Sequence, residues 1–242
     1  MKLAVQLYSL RVFAEKNGAE ETLKLVSEAG YDGVEFAGFY GKTPAEMKAL
    51  VEKYNLQPVS AHIGAAAIEE NLPYIDELGI KYVFIPWVGT DVFGDEKRYA
   101  DLLQITARVK SLLDARGVVL GYHNHAHEFE GGNDYMKKFV SDAGITAETD
   151  VFWLHVGGKD PVSYMKGMGD KLAAVHIKEA AAGEAAKLAQ PVVGEGVVDM
   201  PGVFAQAKAQ GVEWAILEVE QYPCGEKEYL EKSLQNMRRF AK

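Results

Sequence analysis

The chain has 242 residues, with 26 Lys plus Arg against 35 Asp plus Glu, and its formal net charge at pH 7 is −9. Its length suits either one larger domain or two smaller ones. The negative charge repels polyanions on average, so we expect no nucleic-acid partner. The net charge does not exclude a local cationic pocket for a phosphate.

Cysteine content and hydropathy bear on the compartment. Cys224 is the only cysteine, which excludes an internal disulfide and suits a reducing interior. The opening MKLAVQLYSLR has one early lysine, but Gln6, Tyr8 and Ser9 interrupt its apolar stretch, which favours a first strand over a leader. No run reaches the roughly 18 apolar residues of a membrane span. We therefore expect a cytoplasmic protein with no membrane partner.

Short apolar runs rich in Val, Ile and Tyr alternate with amphipathic stretches along the whole chain. This alternation predicts parallel strands joined by right-handed helical crossovers. The predicted strands are 3–8, 33–36, 58–62, 82–86, 118–123, 146–150, 172–177 and 214–219. Eight strands in a chain of this length predict an α/β fold, a single (β/α)8 TIM barrel, with residues 1–242 forming one catalytic domain. An open doubly wound sheet is the alternative, but no Gly-x-Gly-x-x-Gly follows the first strand.

Helix boundaries have clear signals. Thr43 before Pro44 and Asp160 before Pro161 each combine an N-cap side chain with a proline at the first helical position. A left-handed glycine can end a helix just before a strand, and the candidates are Gly30, Gly117 and Gly211. The last helix is predicted over 227–240 from its apolar spacing.

In a barrel the active site lies at the carboxyl ends of the strands, so polar residues that end apolar runs are the candidates. They are Glu35, His62, the segment 122–128, Asp150, His176 with Lys178, and Glu218 with Glu220. The segment GYHNHAHEFE, residues 121–130, holds three His and two Glu. Imidazoles with carboxylates suit a divalent transition metal. The alternative is a surface loop with incidental histidines.

Asp150, His176 and Glu218 each follow or end a different predicted strand. Taken singly, an Asp after a strand is often a helix cap, and a lone His is often a hydrogen-bonded core residue. Glu218 changes this balance because a carboxylate on a buried strand is costly unless it is paired or bound to a metal. We expect the three side chains to converge on one site.

Several segments together resemble the sugar phosphate isomerase/epimerase family, the xylose isomerase-like TIM barrels that include inosose dehydratase and ketose 3-epimerases. The segments are VQLYSLR, GYDGVEFAGFYG, VSAHIG, GYHNHAHEF, ETDVFWLHVGGKDP, VHIKE, VGEGVVDMPG and WAILEVE. They span essentially the whole chain in the family's order. The resemblance implies a divalent-metal-dependent isomerase, epimerase or dehydratase (lyase) of carbohydrate metabolism. Its substrate would be a sugar or keto-sugar, either phosphorylated or inosose-like.

The resemblance also implies one divalent ion, with manganese favoured and magnesium, cobalt or zinc compatible. Asp150, His176 and Glu218 match three of the family's usual four ligands. In the epimerase branch the fourth is a Glu three residues before an Asn, and that position is Gly121 here. His123 shares the strand face of Gly121 and is our candidate replacement. His125, Glu128 or water are the alternatives.

The expected chemistry is removal of a proton next to a carbonyl, with the resulting enediolate stabilised by the ion. Glu218 would be both ligand and base, and Lys178 or a histidine such as His125 would donate a proton. Returning the proton elsewhere gives isomerisation or epimerisation, whereas loss of a hydroxyl gives dehydration. These residues alone do not separate the three outcomes.

Further side chains are candidate substrate contacts. Glu35 and His62 are expected to contact a sugar hydroxyl or one another, the alternative being a buried ion pair that orders the barrel mouth. Glu128 is another candidate contact. Trp87 and Trp153 are expected to form walls against a sugar ring, unless they only pack the top of the barrel.

Two other functions are compatible with this fold. One is metal-dependent phosphodiester cleavage of the kind found in abasic-site endonucleases, which the charge of −9 argues against. The other is a catalytically inactive sugar-binding barrel. The expected partner is a small carbohydrate, and the sequence is also compatible with a homo-oligomer.

Overall fold

The computed structural model describes residues 1–183 and 188–242. Eight parallel strands form a closed barrel in sequence order, and the last strand pairs with the first. The strands are β1 Lys2–Gln6, β2 Gly33–Phe36, β3 Gln57–His62, β4 Tyr82–Ile85, β5 Val119–His123, β6 Thr146–Asp150, β7 Leu172–Ile177 and β8 Trp214–Leu217. The expected (β/α)8 TIM barrel is therefore confirmed.

Helices cover the outside of the barrel. They are α1 Arg11–Ala29, α2 Pro44–Lys53, α3 Leu72–Leu78, α4 Thr90–Phe93, α5 Glu96–Asp114, α6 Tyr135–Ala143, α7 Val151–Val156, α8 Pro161–Met168, α9 Met200–Ala209 and α10 Glu226–Phe240. Short 3-10 turns occur at Leu7–Leu10, Ala65–Ala67, Glu69–Asn71, His127–Gly132 and Gly169–Lys171. Within residues 1–183 and 188–242, none of the helices has the length and apolarity needed to span a bilayer.

Two strands end two residues earlier than their sequence pattern predicts. β1 ends at Gln6 because the side chain of Gln6 accepts a hydrogen bond from the backbone N–H of Tyr8 at 3.0 Å, which starts a 3-10 turn. β8 ends at Leu217, and the backbone N–H of Val219 donates to Ser9 Oγ at 3.0 Å instead of to the sheet. Both departures turn the chain away at the carboxyl end of the barrel.

The predicted helix signals are confirmed. Thr43 and Glu46 exchange hydrogen bonds in a capping box that starts α2, and Asp160 accepts the backbone N–H of Ser163 at 2.8 Å at the start of α8. Positive φ values end the preceding helices or turns at the predicted glycines, which are Gly30 (96°), Gly117 (68°) and Gly211 (74°).

The inside of the barrel is apolar at one end and polar at the other. A small buried cluster, distinct from the large core around it, contains Ala4, Val59, Phe84, Ala174, Trp214 and Ile216. Above it, the strand register pairs His123 with Glu148 and Asp150 with His176. The buried polar side chains therefore lie together at the carboxyl ends of the strands.

Gly121 is the point where the apolar layer meets the polar one. A Cβ atom at this position would lie 2.6 Å from Phe84 Cδ1 and 2.8 Å from Thr146 Oγ1. Both neighbours are on adjacent strands, and Phe84 is fully buried. The ring of Phe84 thus occupies the space that any side chain at position 121 would need.

This packing predicts that Gly121→Ala lowers the free energy of unfolding by about 1 to 3 kcal/mol through overpacking. Thermal unfolding should show a Tm several degrees lower. Gly64→Ala is the matched control, because no heavy atom lies within 4 Å of its added Cβ. Phe84→Leu should recover part of the loss when combined with Gly121→Ala. An unchanged Tm for Gly121→Ala would show that the neighbouring side chains can move aside without a cost in stability.

Candidate active site

A cavity of about 650 Å³ opens at the carboxyl ends of the strands. Its lining includes Tyr8, His62, Trp87, His123, His125, His127, Glu130, Trp153, Glu218 and Glu220. A larger groove of about 830 Å³ lies between α1 and α2, but its carboxylates, such as Glu15 and Glu20, are exposed. Because convergent polar groups in an apolar cavity mark a binding site, the barrel mouth is the candidate active site.

Four buried side chains from four strands or strand ends meet beside this cavity. One donor atom from each lies within 4.8 Å of the other three, and the residues are His123, Asp150, His176 and Glu218. His176 Nδ1 is 3.2 Å from Glu218 Oε2 and 3.9 Å from Asp150 Oδ2. The structure therefore brings together the three residues expected to converge, along with His123. We call these four residues the outer cluster.

Asp150 serves two local purposes at once. Its Oδ1 accepts the backbone N–H of Trp153 at 2.8 Å and so caps α7, while its own N–H donates to Asn124 Oδ1 at 2.9 Å. Its Oδ2 is buried and has no hydrogen-bond partner in the described residues. One oxygen thus fixes the residue, and the other is left for a partner inside the outer cluster.

The pKa values of the outer cluster are shifted because its charged groups are close together and shielded from water. Burial raises the pKa of Asp150 to about 8, opposed by the charge of Lys178 and reinforced by Glu218. Burial also acts to raise the pKa of Glu218, but Lys178 and the hydrogen bond to His176 hold it well below its usual range. The two carboxylates therefore differ: Asp150 takes up a proton easily, and Glu218 stays ionised.

Glu148 is a site residue that the sequence analysis missed. Its Oε2 lies 2.7 Å from His62 Nε2, and 3.1 Å from both His123 Nδ1 and His176 Nε2. Its Oε1 is buried without a hydrogen-bond partner in the described part of the chain. Glu148 also forms a second donor group with His62, His123 and His176. Period-two alternation was the available signal, since Glu148 precedes Asp150 by two residues and shares its strand face.

Glu35 lies beneath the cavity. Its carboxylate accepts hydrogen bonds from Gln6 Nε2 and Ser60 Oγ, both at 2.6 Å, and lies 2.6 Å from His176 Nε2. Glu35 Oε1 and His62 Nε2 are 3.2 Å apart, so the expected contact between these two residues is present. His62 lines the cavity, whereas Glu35 is fully buried and supports His176. The buried ion pair is thus the arrangement that the structure favours for Glu35.

Glu128 also lies behind the cavity wall. It is fully buried and accepts hydrogen bonds from the Tyr122 hydroxyl and from the backbone N–H of His125 at 2.9 Å. These bonds hold the loop that carries His125 and His127. Glu128 was expected to contact the sugar, but both of its carboxylate oxygens already accept hydrogen bonds from the protein.

His125 lines the cavity but does not belong to the outer cluster; its donor group contains His127 and Glu128. Burial lowers the pKa of His125 to about 2. The side chain is therefore a neutral imidazole near pH 7, which makes it a poor proton donor. Of the alternatives to His123 as fourth ligand, His125 and Glu128 lie in a different group.

Lys178 is a fully buried cation next to the outer cluster. Its Nζ lies 3.5 Å from Glu218 Oε2 and forms a hydrogen bond to Glu220. The rings of Trp153 and Phe152 lie 4.7 and 5.1 Å from the same nitrogen. Burial acts to lower the pKa of Lys178, but Glu218 and Asp150 keep it above the usual value. The ammonium group is thus charged and close to Glu218.

Comparison with known proteins places the chain in a family. The family model described as xylose isomerase-like TIM barrel matches residues 23–240. An inosose dehydratase from Geobacillus kaustophilus is 22% identical, and the alignment covers 85% of this chain and 81% of that protein.

Solved structures show the same fold. A sugar phosphate isomerase/epimerase from Parabacteroides distasonis superimposes with a TM-score of 0.78 at 23% identity, covering 100% of this chain and 96% of that one. The 3-keto-D-glucoside 4-epimerase from E. coli gives a TM-score of 0.70 at 18% identity, with 99% of each chain covered. With the family model spanning most of its length, the chain belongs to the xylose isomerase-like TIM barrel family.

Proposed function

We propose that the protein is a divalent-metal-dependent enzyme that enolises a keto-sugar or inosose, acting as an isomerase, epimerase or dehydratase. The observation that carries this proposal is the outer cluster, in which Asp150 Oδ2 has no hydrogen-bond partner among the described residues and Glu218 Oε2 lies 3.5 Å from Lys178 Nζ. The named relatives, an inosose dehydratase and sugar epimerases, act on compounds of this class.

The donor set fits a divalent cation. Two ligand atoms that each lie about 2.0 to 2.3 Å from one ion are themselves about 3 to 4 Å apart. The separations of 3.2 and 3.9 Å from His176 Nδ1 to Glu218 and Asp150 agree with this spacing. Two carboxylates with two imidazoles suit manganese, zinc or cobalt. When bound, such an ion would supply Lewis-acid polarisation of the substrate carbonyl.

Surrounding residues would hold the ligands in place. Glu35 lies at the Nε2 side of His176, and the contact there orients the ring so that Nδ1 faces Asp150 and Glu218. A carboxylate that orients a ligating histidine in this way is common in metalloproteins. Asn124 holds Asp150 in place, because its Oδ1 accepts a hydrogen bond from the backbone N–H of Asp150.

Proton transfer would involve Glu218 and Lys178. Glu218 accepts the proton from the carbon next to the carbonyl, and the carbon's electron pair moves into the enediolate. In dehydration, the bond from the neighbouring carbon to its hydroxyl then breaks, and Lys178 gives that oxygen a proton so that water leaves. Since Lys178 Nζ lies 3.5 Å from Glu218 Oε2, the proton held by Glu218 can return to Lys178 and restore both groups.

Gly121 favours one-base chemistry. Two-base epimerisation requires a second carboxylate on the opposite face of the substrate, and Phe84 fills the space at position 121. Dehydration, or isomerisation with a single base, requires only Glu218 and its proton donor. We therefore favour these two outcomes over epimerisation.

The proposal is tested by incubating the protein with inososes, keto-sugars and 3-keto-glycosides in deuterium oxide, with and without manganese. Deuterium should enter the carbon next to the carbonyl only when the ion is present, and this is measured by NMR. Metal content after purification without chelator is a parallel measurement. Lack of a stoichiometric ion together with lack of exchange would favour an inactive sugar-binding barrel.

Glu218→Gln keeps the shape of the side chain but removes its charge and basicity. We expect turnover to fall by about 100-fold or more, with weaker metal binding and a Tm that is unchanged or slightly higher. Glu220→Gln is the matched control, since it also loses a charge beside Lys178 but lies outside the outer cluster. Full activity in Glu218→Gln would show that Glu218 is not the base.

His123→Ala tests the fourth ligand. Metal affinity should fall by about 10- to 100-fold, because the outer cluster loses one donor or a close supporting residue. Metal is titrated into the chelator-stripped variant, with His125→Ala as control because its imidazole lies in a different donor group. If His123 only binds a sugar hydroxyl, metal affinity will equal that of the parent and the substrate KM will rise.

A further inference from the structure

The cavity extends well beyond the outer cluster, and its outer part is aromatic. Among the residues that the structure describes, the large aromatic side chains that are exposed are Tyr8 (45%) and Trp87 (56%). Both line the candidate active-site cavity. Exposed aromatic rings that meet at one cavity, rather than scattered singly over the surface, point to a bound partner.

Trp87 has a fixed position despite its exposure. Its ring centroid lies 4.0 Å from that of His127 and 4.7 Å from that of His125. His127 is itself held, because its Nε2 donates to the carbonyl of Val88 at 2.9 Å. The indole thus rests on a fixed wall of two imidazoles and offers its other surface without needing to rearrange.

Polar groups surround these rings. Trp153 Nε1 and His125 Nδ1 are buried and lack hydrogen-bond partners in the described residues, and both side chains line the cavity. Glu130 and Glu220 line it as well. A sugar ring matches this combination, because its C–H faces pack on aromatic rings while its hydroxyls reach polar groups at the edges.

We propose that Tyr8, Trp87, His125, His127 and Trp153 form an aromatic subsite for a second ring, so that the substrate is a glycoside of a keto-sugar. The inference rests on the proposed sugar-binding function of the cavity. The keto-sugar ring occupies the end at Glu218 and His123, and the second ring packs on Trp87. The volume of about 650 Å³ lies within the range of pockets for drug-sized ligands, which are larger than one hexose.

The charges argue for a neutral second ring. Glu130 and Glu220 repel a phosphate, and the nearby ammonium of Lys178 is already paired with Glu218 and Glu220. A phosphorylated sugar would leave its anionic group next to these carboxylates. A second sugar presents only hydroxyls and C–H faces there.

Saturation-transfer NMR tests the subsite directly, with glucose and cellobiose as probes and zinc-loaded protein. Both rings of cellobiose should receive saturation from the parent protein. Trp87→Ala should weaken cellobiose binding by about two- to tenfold and remove saturation from one ring, while glucose binding stays the same. Trp87→Phe should keep most of the effect because it retains an aromatic face.

Val12→Ala is the matched control, since Val12 is also an exposed apolar residue (49%) but does not line the cavity. Equal cellobiose affinity in the parent and in Trp87→Ala, with glucose still bound, would overturn the subsite and leave the proposed function standing. Binding of neither sugar would overturn the subsite, whereas the proposed function is decided separately by deuterium exchange with keto-sugars and inososes.

Discussion

The burial of charge at one end of the barrel governs the rest of this structure. Glu35, Glu148, Asp150 and Glu218 are all nearly or fully inaccessible to solvent, and each needs a cation or an N–H group in place of water. Lys178 and the histidines at the strand ends provide these partners. Because the strands converge only when the barrel closes, this compensation is possible only in the folded state.

Compensation of these carboxylates is incomplete at two oxygen atoms. Glu148 Oε1 and Asp150 Oδ2 remain without donors in the described residues. Buried acceptors of this kind are rare in stable proteins unless something further binds to them. Under the proposed function, a divalent cation bound here would restore the stability that these two unpaired acceptors cost. Gln6 and Ser60 hold Glu35 in position, and Asn124 holds Asp150.

The sequence predicted the barrel and most of the site because both follow simple periodicities. Strand positions came within a few residues, and Asp150, His176 and Glu218 met as expected because all lie at carboxyl ends of strands. Glu148 was not predicted as a site residue because Asp150, two residues later, already accounted for the polar end of that strand. The supporting positions of Glu35 and Glu128 were not predictable from spacing, since only the packed structure shows which side of a carboxylate has protein donors.

The ring of Phe84 against Gly121 has a consequence for how this site could change over time. A carboxylate on the fifth strand would place a second acidic group on the opposite face of the substrate, but the ring of Phe84 occupies the space that its side chain would need. Shrinking the ring alone would leave a hole in the apolar layer, and enlarging the glycine alone would force the strands apart. Each single change therefore costs stability, and a carboxylate at position 121 requires a smaller side chain at position 84 in the same molecule.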